Sequence, residues 1–171
     1  MKDKLLFVIH WISIFIVSIS MFAYGASKSI QFRKVSEVVD LSTISGQDLM
    51  WAFYGYSLTY PIIIGVFQVI GAISLLFAKT RLFGCLLLST ILFNIIIQDF
   101  IYDVNHGAFK SAILYQVLLF LLMAFNFTHM KEVIKILFQK SKTFAIKNKI
   151  IFLLLSFIIA VIWKNFETRI L

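Results

Sequence analysis

LFGCLLLSTILFNIIIQDFIY, residues 82–102, is long and apolar enough to cross a bilayer, yet it carries Asn94, Gln98 and Asp99. A helix rises about 1.5 Å per residue, so roughly 20 apolar residues cross a hydrocarbon core about 30 Å thick. Such a helix satisfies its own backbone, but polar side chains in hydrocarbon are costly and need a partner or a task. The run therefore predicts a transmembrane helix and raises the question of what its polar residues do.

The rest of the chain extends the membrane reading. Of 171 residues, 61% are hydrophobic and 14% charged, one is proline, and the mean hydropathy is +0.95. This composition predicts an all-α, polytopic membrane protein. Charges divide the chain into uncharged runs at 5–27, 49–78, 82–98, 111–130 and 150–163. The first four are long enough to span if the third continues to Tyr102. The fifth covers only about 21 Å as a helix. It crosses if Lys149 and Lys164 snorkel, and otherwise lies on the surface or docks. The expected organisation is a four-helix bundle over 1–128, a basic connector over 129–149, and a fifth transmembrane helix with a short tail over 150–171.

The second run is too long for one straight span and contains the single proline, Pro61. Proline is tolerated in the first turn of a helix and disrupts an interior, so the true span is expected over 61–78. Ser45 and Asp48 form an S-x-x-D cap, predicting a separate interfacial helix through Trp51, Tyr54 and Tyr56. One long kinked helix is the alternative.

Alternating the sides of five spans puts ten Lys and Arg residues on one face, including Lys2, Lys79, Arg81 and the six connector lysines, and six on the other. The positive-inside rule then predicts a cytoplasmic N-terminus and an external C-terminus. The net charge of +8 follows from the cytoplasmic excess and calls for no nucleic acid. The connector interleaves lysines with Val133, Ile134, Ile136, Leu137 and Phe138, a pattern suited to anionic membrane lipid. Ala23-Tyr24-Gly25 resembles a signal cleavage site, but the preceding apolar stretch is too long for a signal core, so a retained helix is expected. Cys85 is the single cysteine, which excludes intramolecular disulfides and CxxC chemistry and suits a small buried residue.

Several short motifs occur in a telling order: Tyr24-Gly25-x-x-Lys28, then Trp51-Ala-Phe-Tyr-Gly55-Tyr-Ser57, Gly65-x-x-Gln68-x-x-Gly71 with Leu75 and Leu76, and Thr80-Arg81-Leu-Phe-Gly84. Across residues 9–130 the chain resembles the DoxX-like family of small bacterial and archaeal integral membrane proteins. The resemblance implies a four-helix bundle in a bacterial inner membrane and an association with redox work, including quinone-linked thiosulfate oxidation and complexes that manage thiol stress. The family position matching Gln68 is often Glu, so a proton-handling role for that glutamate does not carry over.

Depth sorts the polar residues. Counting about 1.5 Å per residue from Arg81, Asn94 lies near 20 Å, Gln98 near 26 Å and Asp99 near 27 Å, which puts Asp99 at the outer boundary. The same count brings Ser18, Gln68, Asn94 and Gln116 to one level in the outer half. The simpler reading is a layer of interhelical hydrogen bonds, aided by Gly65, Gly71 and Ala72. The functional reading is a pocket for an amphipathic ligand such as a quinone, bound by Ser18, Gln68, Asn94, Gln98 and Gln116, with Asp99, Tyr102 and Tyr24 relaying protons.

Asp99, Asp103 and His106 fall at i, i+4 and i+7, but Gly107 reads as a helix stop, so no metal site is expected there. His10, His106 and His129 differ in level, which disfavours a bis-histidine haem. No phosphate loop, zinc-protease helix or nucleophile elbow occurs. Three functions follow: a subunit of a quinone-linked oxidoreductase complex that needs a redox partner, a non-catalytic assembly or integrity protein, and a small-solute transporter. Apolar cytoplasmic halves of the spans count against the third.

Overall fold

The computed structural model describes residues 1–32, 34, 43–139 and 147–170. Arg33, Glu37, Asp40, Lys140 and Lys142 of the sequence reading, and the connector stretch 140–146, lie outside them. The described residues form α1 (Lys2–Gln31), α2 (Gly46–Tyr56), α3 (Thr59–Leu76), α4 (Arg81–Ile101), α5 (His106–Phe125), α6 (Phe127–Leu137) and α7 (Lys149–Ile170), with no strand among them. Five of these, α1, α3, α4, α5 and α7, are long and apolar enough to cross a membrane. The protein is an all-α, polytopic membrane bundle.

The chain divides into two units, residues 1–134 and 135–171. In the first, α1 packs against α3 and α5, and α4 packs against the same two helices. The four therefore form a ring in the order α1, α3, α4, α5, with α1 and α4 on opposite corners. Inward positions recur at helical spacing: Ile14, Val17 and Met21; Gln68, Ala72 and Leu75; Cys85, Leu88 and Leu92; Ala112, Gln116 and Leu119. Glycines set the approach of the helices. A Cβ added at Gly25 would lie 2.6 Å from the Gly65 carbonyl oxygen, and one at Gly84 would lie 2.8 Å from the Gly71 oxygen, so larger residues would push the pairs apart.

The break near Pro61 falls where the sequence puts it. Ser45 caps α2, its hydroxyl accepting from the Asp48 N–H at 3.1 Å, and Ser57 is extended between α2 and α3. Pro61 sits in the first turn of α3, so a single kinked helix is not what forms. Helix α2 roofs one end of the ring: Met50 and Tyr54 are buried with Phe32 and Val104, against Trp51, Leu58, Ile64 and Tyr102.

At the opposite end Arg81 ties three helices together. Its Nε donates to the Leu75 carbonyl at 2.9 Å, its Nη1 lies 3.2 Å from His10 Nε2, and its guanidinium lies 5.4 Å from the Trp11 ring centre. Arginine only donates, so His10 Nε2 accepts and the imidazole is neutral with its proton on Nδ1. Cys85 is fully buried.

Two expectations about α5 are corrected. Gly107 does not stop a helix: α4 ends at Ile101, Asp103 turns the chain with φ 47°, and α5 starts at His106 with Asn105 Oδ1 accepting from Gly107 N–H at 2.8 Å. Asp99, Asp103 and His106 therefore share no helix face. The fourth apolar run, 111–130, is also not one span. Helix α5 ends at Phe125, the Asn126 amide donates to Leu122 O at 2.8 Å, and the amphipathic α6 follows, with Met130, Ile134 and Leu137 on one side and Lys131 and Lys135 on the other.

Candidate functional site

Beneath the α2 roof, between α1, α4 and α5, lies a cavity of about 110 Å³. Its walls follow from helical spacing. Met21, Tyr24, Lys28 and Gln31 form one stripe of α1, Leu92, Ile95 and Asp99 one stripe of α4, and Ala108, Ser111, Ala112 and Tyr115 one stripe of α5. Helix α2 supplies Met50, Trp51 and Tyr54 from above, and α3 supplies Gln68.

Two residues lining this cavity, Asp99 and Gln68, are buried and carry acceptors without a partner among the described residues. Asp99 is only 7% exposed, and its carboxylate has no hydrogen-bond or ion-pair partner among the described residues. Gln68 is 1% exposed, and its Oε1 accepts from none of the described residues. Unsatisfied buried polar groups are rare, because each forfeits its hydration with nothing in return. Lys28, on the α1 corner, interacts electrostatically with Asp99 across the cavity without ion-pair contact, and donates to Gln31 Oε1 at 3.1 Å above the Phe32 ring.

Tyr54 and Gln98 are committed to each other. The Tyr54 hydroxyl donates to Gln98 Oε1 at 2.6 Å, and its ring stacks between Phe32 and Tyr60. Burial raises the pKa of the Tyr54 phenol, the Gln98 bond opposes that, and the charges of Tyr60 and Asp99 add to the rise. Tyr54 thus stays a protonated donor whose proton is already spent. Tyr24 and Tyr115 pair at 6.3 Å between ring centres at the cavity edge, where Tyr24 is 43% exposed.

The chain is similar to the uncharacterized protein YwoB of Bacillus subtilis (strain 168). The two are 26% identical over 109 residues, which cover 63% of this chain and 71% of that protein. No family model and no solved structure matches the chain, so the DoxX-like resemblance rests on its sequence motifs.

The cavity gathers Gln68, Gln98, Asp99 and Tyr24 and leaves the other expected site residues outside. Asp99 is buried on the cavity wall, whereas the sequence puts it at the rim. Asn94, expected inside the layer, is exposed: it lies two residues past the inward Leu92, about 200° round the helix. It lines a separate groove with Tyr60, Pro61, Ile64 and Thr90, which shares Lys28, Tyr54 and Ile95 with the main cavity. Gln116 is buried toward Ser89, to whose Oγ it donates at 3.1 Å, and lines a third groove. Ser18 is buried with an unpartnered hydroxyl and does not line the cavity. Tyr102 joins the roof cluster instead, so a relay from Asp99 through Tyr102 is not assembled here.

Lys28 is a candidate partner of Asp99 in the sequence, on the same side of the membrane, whereas Gln31, Trp51, Tyr54 and Tyr115 are cavity residues that sequence reasoning misses. The i, i+3, i+7, i+10 stripe of Met21, Tyr24, Lys28 and Gln31 is the signal that could find Gln31. Among the described residues no three His, Cys, Asp or Glu side chains gather as metal ligands.

Proposed function

We propose that this protein is a binding subunit of a bacterial inner membrane, N-terminus in the cytoplasm, that holds the polar end of an amphipathic molecule in the outer half of its bundle. The observation that carries this reading is that one cavity is lined by the buried Gln68 Oε1 and by Asp99, neither of which has a hydrogen-bond or ion-pair partner among the described residues. A bound molecule that donates to both would recover what their burial costs. The residues exposed at the cavity edge, Tyr24 and Ala108, belong to α1 and α5, while the roof residues Met50, Tyr54 and Val104 are buried. The ligand's apolar part would therefore leave sideways, toward lipid.

The resemblance makes a quinone the expected ligand, and the deep groups test it. An oxidised quinone offers only acceptors: it could take a hydrogen bond from the Gln68 amide N–H, but it gives nothing to the Asp99 carboxylate or to Gln68 Oε1. The hydroxylated, reduced form matches them better. Any redox role would need a partner that exchanges electrons with the bound molecule. Solute transport is disfavoured by the fully buried apolar layer below the cavity, Ile14, Val17, Leu75, Leu88, Leu119 and Leu122.

The test is mass spectrometry of small molecules that co-purify with the protein in mild detergent. Gln68→Leu should strip the bound amphipath, and Asn94→Leu should leave it. A folded wild-type protein carrying no amphipath, or loss from Asn94→Leu alone, would remove the proposal. An assembly role is the second reading, favoured by the basic amphipathic α6. It predicts a crosslinked partner complex whose activity survives Gln68→Leu.

A further inference from the structure

The charge pattern of the cavity narrows the ligand further than its amphipathic character does. Asp99 and Lys28 line the same space from opposite corners of the helix ring and form no ion pair with each other. Gln68 lines the same space, and its Oε1 is a second acceptor without a partner among the described residues. A simple cation would answer Asp99 and Gln68 but meet repulsion from Lys28. A simple anion would answer Lys28 but meet two acceptors with nothing to give them. A molecule with an ammonium at one end and an anion at the other answers all three.

We infer that the cavity binds a zwitterionic primary-ammonium phosphate, the head group of an aminophospholipid drawn from the leaflet on the α2 side, with its ammonium on Asp99 and Gln68 and its phosphate on Lys28. The inference rests on the binding role proposed above. The cavity's size supports it: about 110 Å³ is the space of roughly eight waters, which a phosphoethanolamine group fills without its chains. The chains then lie along the α1 and α5 seam beside Tyr24 and Tyr115, whose amphipathic rings suit the boundary between head groups and hydrocarbon. A primary ammonium is required because a trimethylated one carries no N–H to donate to the carboxylate or the amide oxygen. Asp99 and Gln68 are thus the residues that set head-group specificity.

Native mass spectrometry of the full, delipidated protein tests this with added phosphatidylethanolamine, phosphatidylcholine, phosphatidylglycerol, free phosphoethanolamine and a short-chain quinol. Phosphatidylethanolamine should bind about tenfold or more tightly than the choline and glycerol lipids, the size expected for a charge-assisted hydrogen bond. Asp99→Asn should erase that preference, and Asn94→Leu, outside the cavity, should keep it. Should Asp99→Asn fail to fold, Lys28→Gln carries the test, and must weaken phosphatidylethanolamine binding relative to wild type. Equal binding of the three lipids overturns the inference. Preferential binding of free phosphoethanolamine overturns the lipid source. Preferential binding of the quinol overturns the zwitterion and leaves the binding role standing. Binding of none of them overturns both.

Discussion

Gln68 occupies a core position, between Gly65 and Ala72 on the inward stripe of α3, where a leucine would pack without needing a partner. Its Oε1 is buried and satisfied by none of the described residues. Gln68→Leu should therefore stabilise the ligand-free protein by about 1–3 kcal/mol, the usual cost of an unsatisfied buried polar group. Thermal unfolding in detergent checks this, and a lower midpoint would mean that the amide is held by an interaction within the bundle. Asn94→Leu should be silent for cavity binding, since the side chain lies on the far side of α4. The contrast between these two residues marks how far the sequence can be read. Residue counting gives a depth along the axis, because the rise per residue is fixed. It does not give direction, and a difference of about 200° round the helix separates a core position from an exposed one. Asp99 shows the same limit: near the end of a span, depth alone suggests water, while its place seven residues after Leu92 on the inward stripe keeps it buried.

The helices themselves are legible where a cap or a proline marks them. Ser45, Asp48 and Pro61 divide α2 from α3 because each acts on its own turn of backbone. The α4 to α5 turn is not legible in the same way, because Gly107 alone is ambiguous: it serves a helix start when Asn105 caps the turn and a helix stop otherwise. Lys110 adds a second ambiguity, since its charge reads as a span boundary although its long side chain lets it sit in the first turns of α5. The glycines of the Tyr24-Gly25-x-x-Lys28 and Gly65-x-x-Gln68 motifs gain a physical role at this scale. Gly65 faces Gly25, and a Cβ on either would run into the other's carbonyl oxygen. Gly65→Val should force α1 and α3 apart and cost about 1–3 kcal/mol, as overpacking typically does. The same change should also move Lys28, whose side-chain carbons lie about Gly65. Unfolding midpoints compared with Ile62→Val, an exposed position on the same helix, would check it. Equal midpoints would mean that the two helices do not meet at these glycines.

For the whole molecule the decisive quantity is which end of the bundle faces out, because the cavity opens near only one of them. Five crossings would put the two termini on opposite sides, and the ten-to-six division of basic residues would orient them with Lys2 and Lys4 inside. This predicts that a reporter fused at Ser141 is active only as a cytoplasmic reporter and one fused after Leu171 only as an external reporter. A cytoplasmic C-terminus with a cytoplasmic Ser141 would keep the four-helix unit as oriented and lay α7 along the surface. The cavity would then be untouched, since every residue lining it belongs to the unit of residues 1–134. An external Ser141 would invert the bundle instead. The α2 roof, Lys28 and Asp99 would face the cytoplasm, and any lipid they hold would come from the inner leaflet. The topology measurement therefore decides which leaflet supplies the ligand, while the charge pattern that selects its head group stays the same.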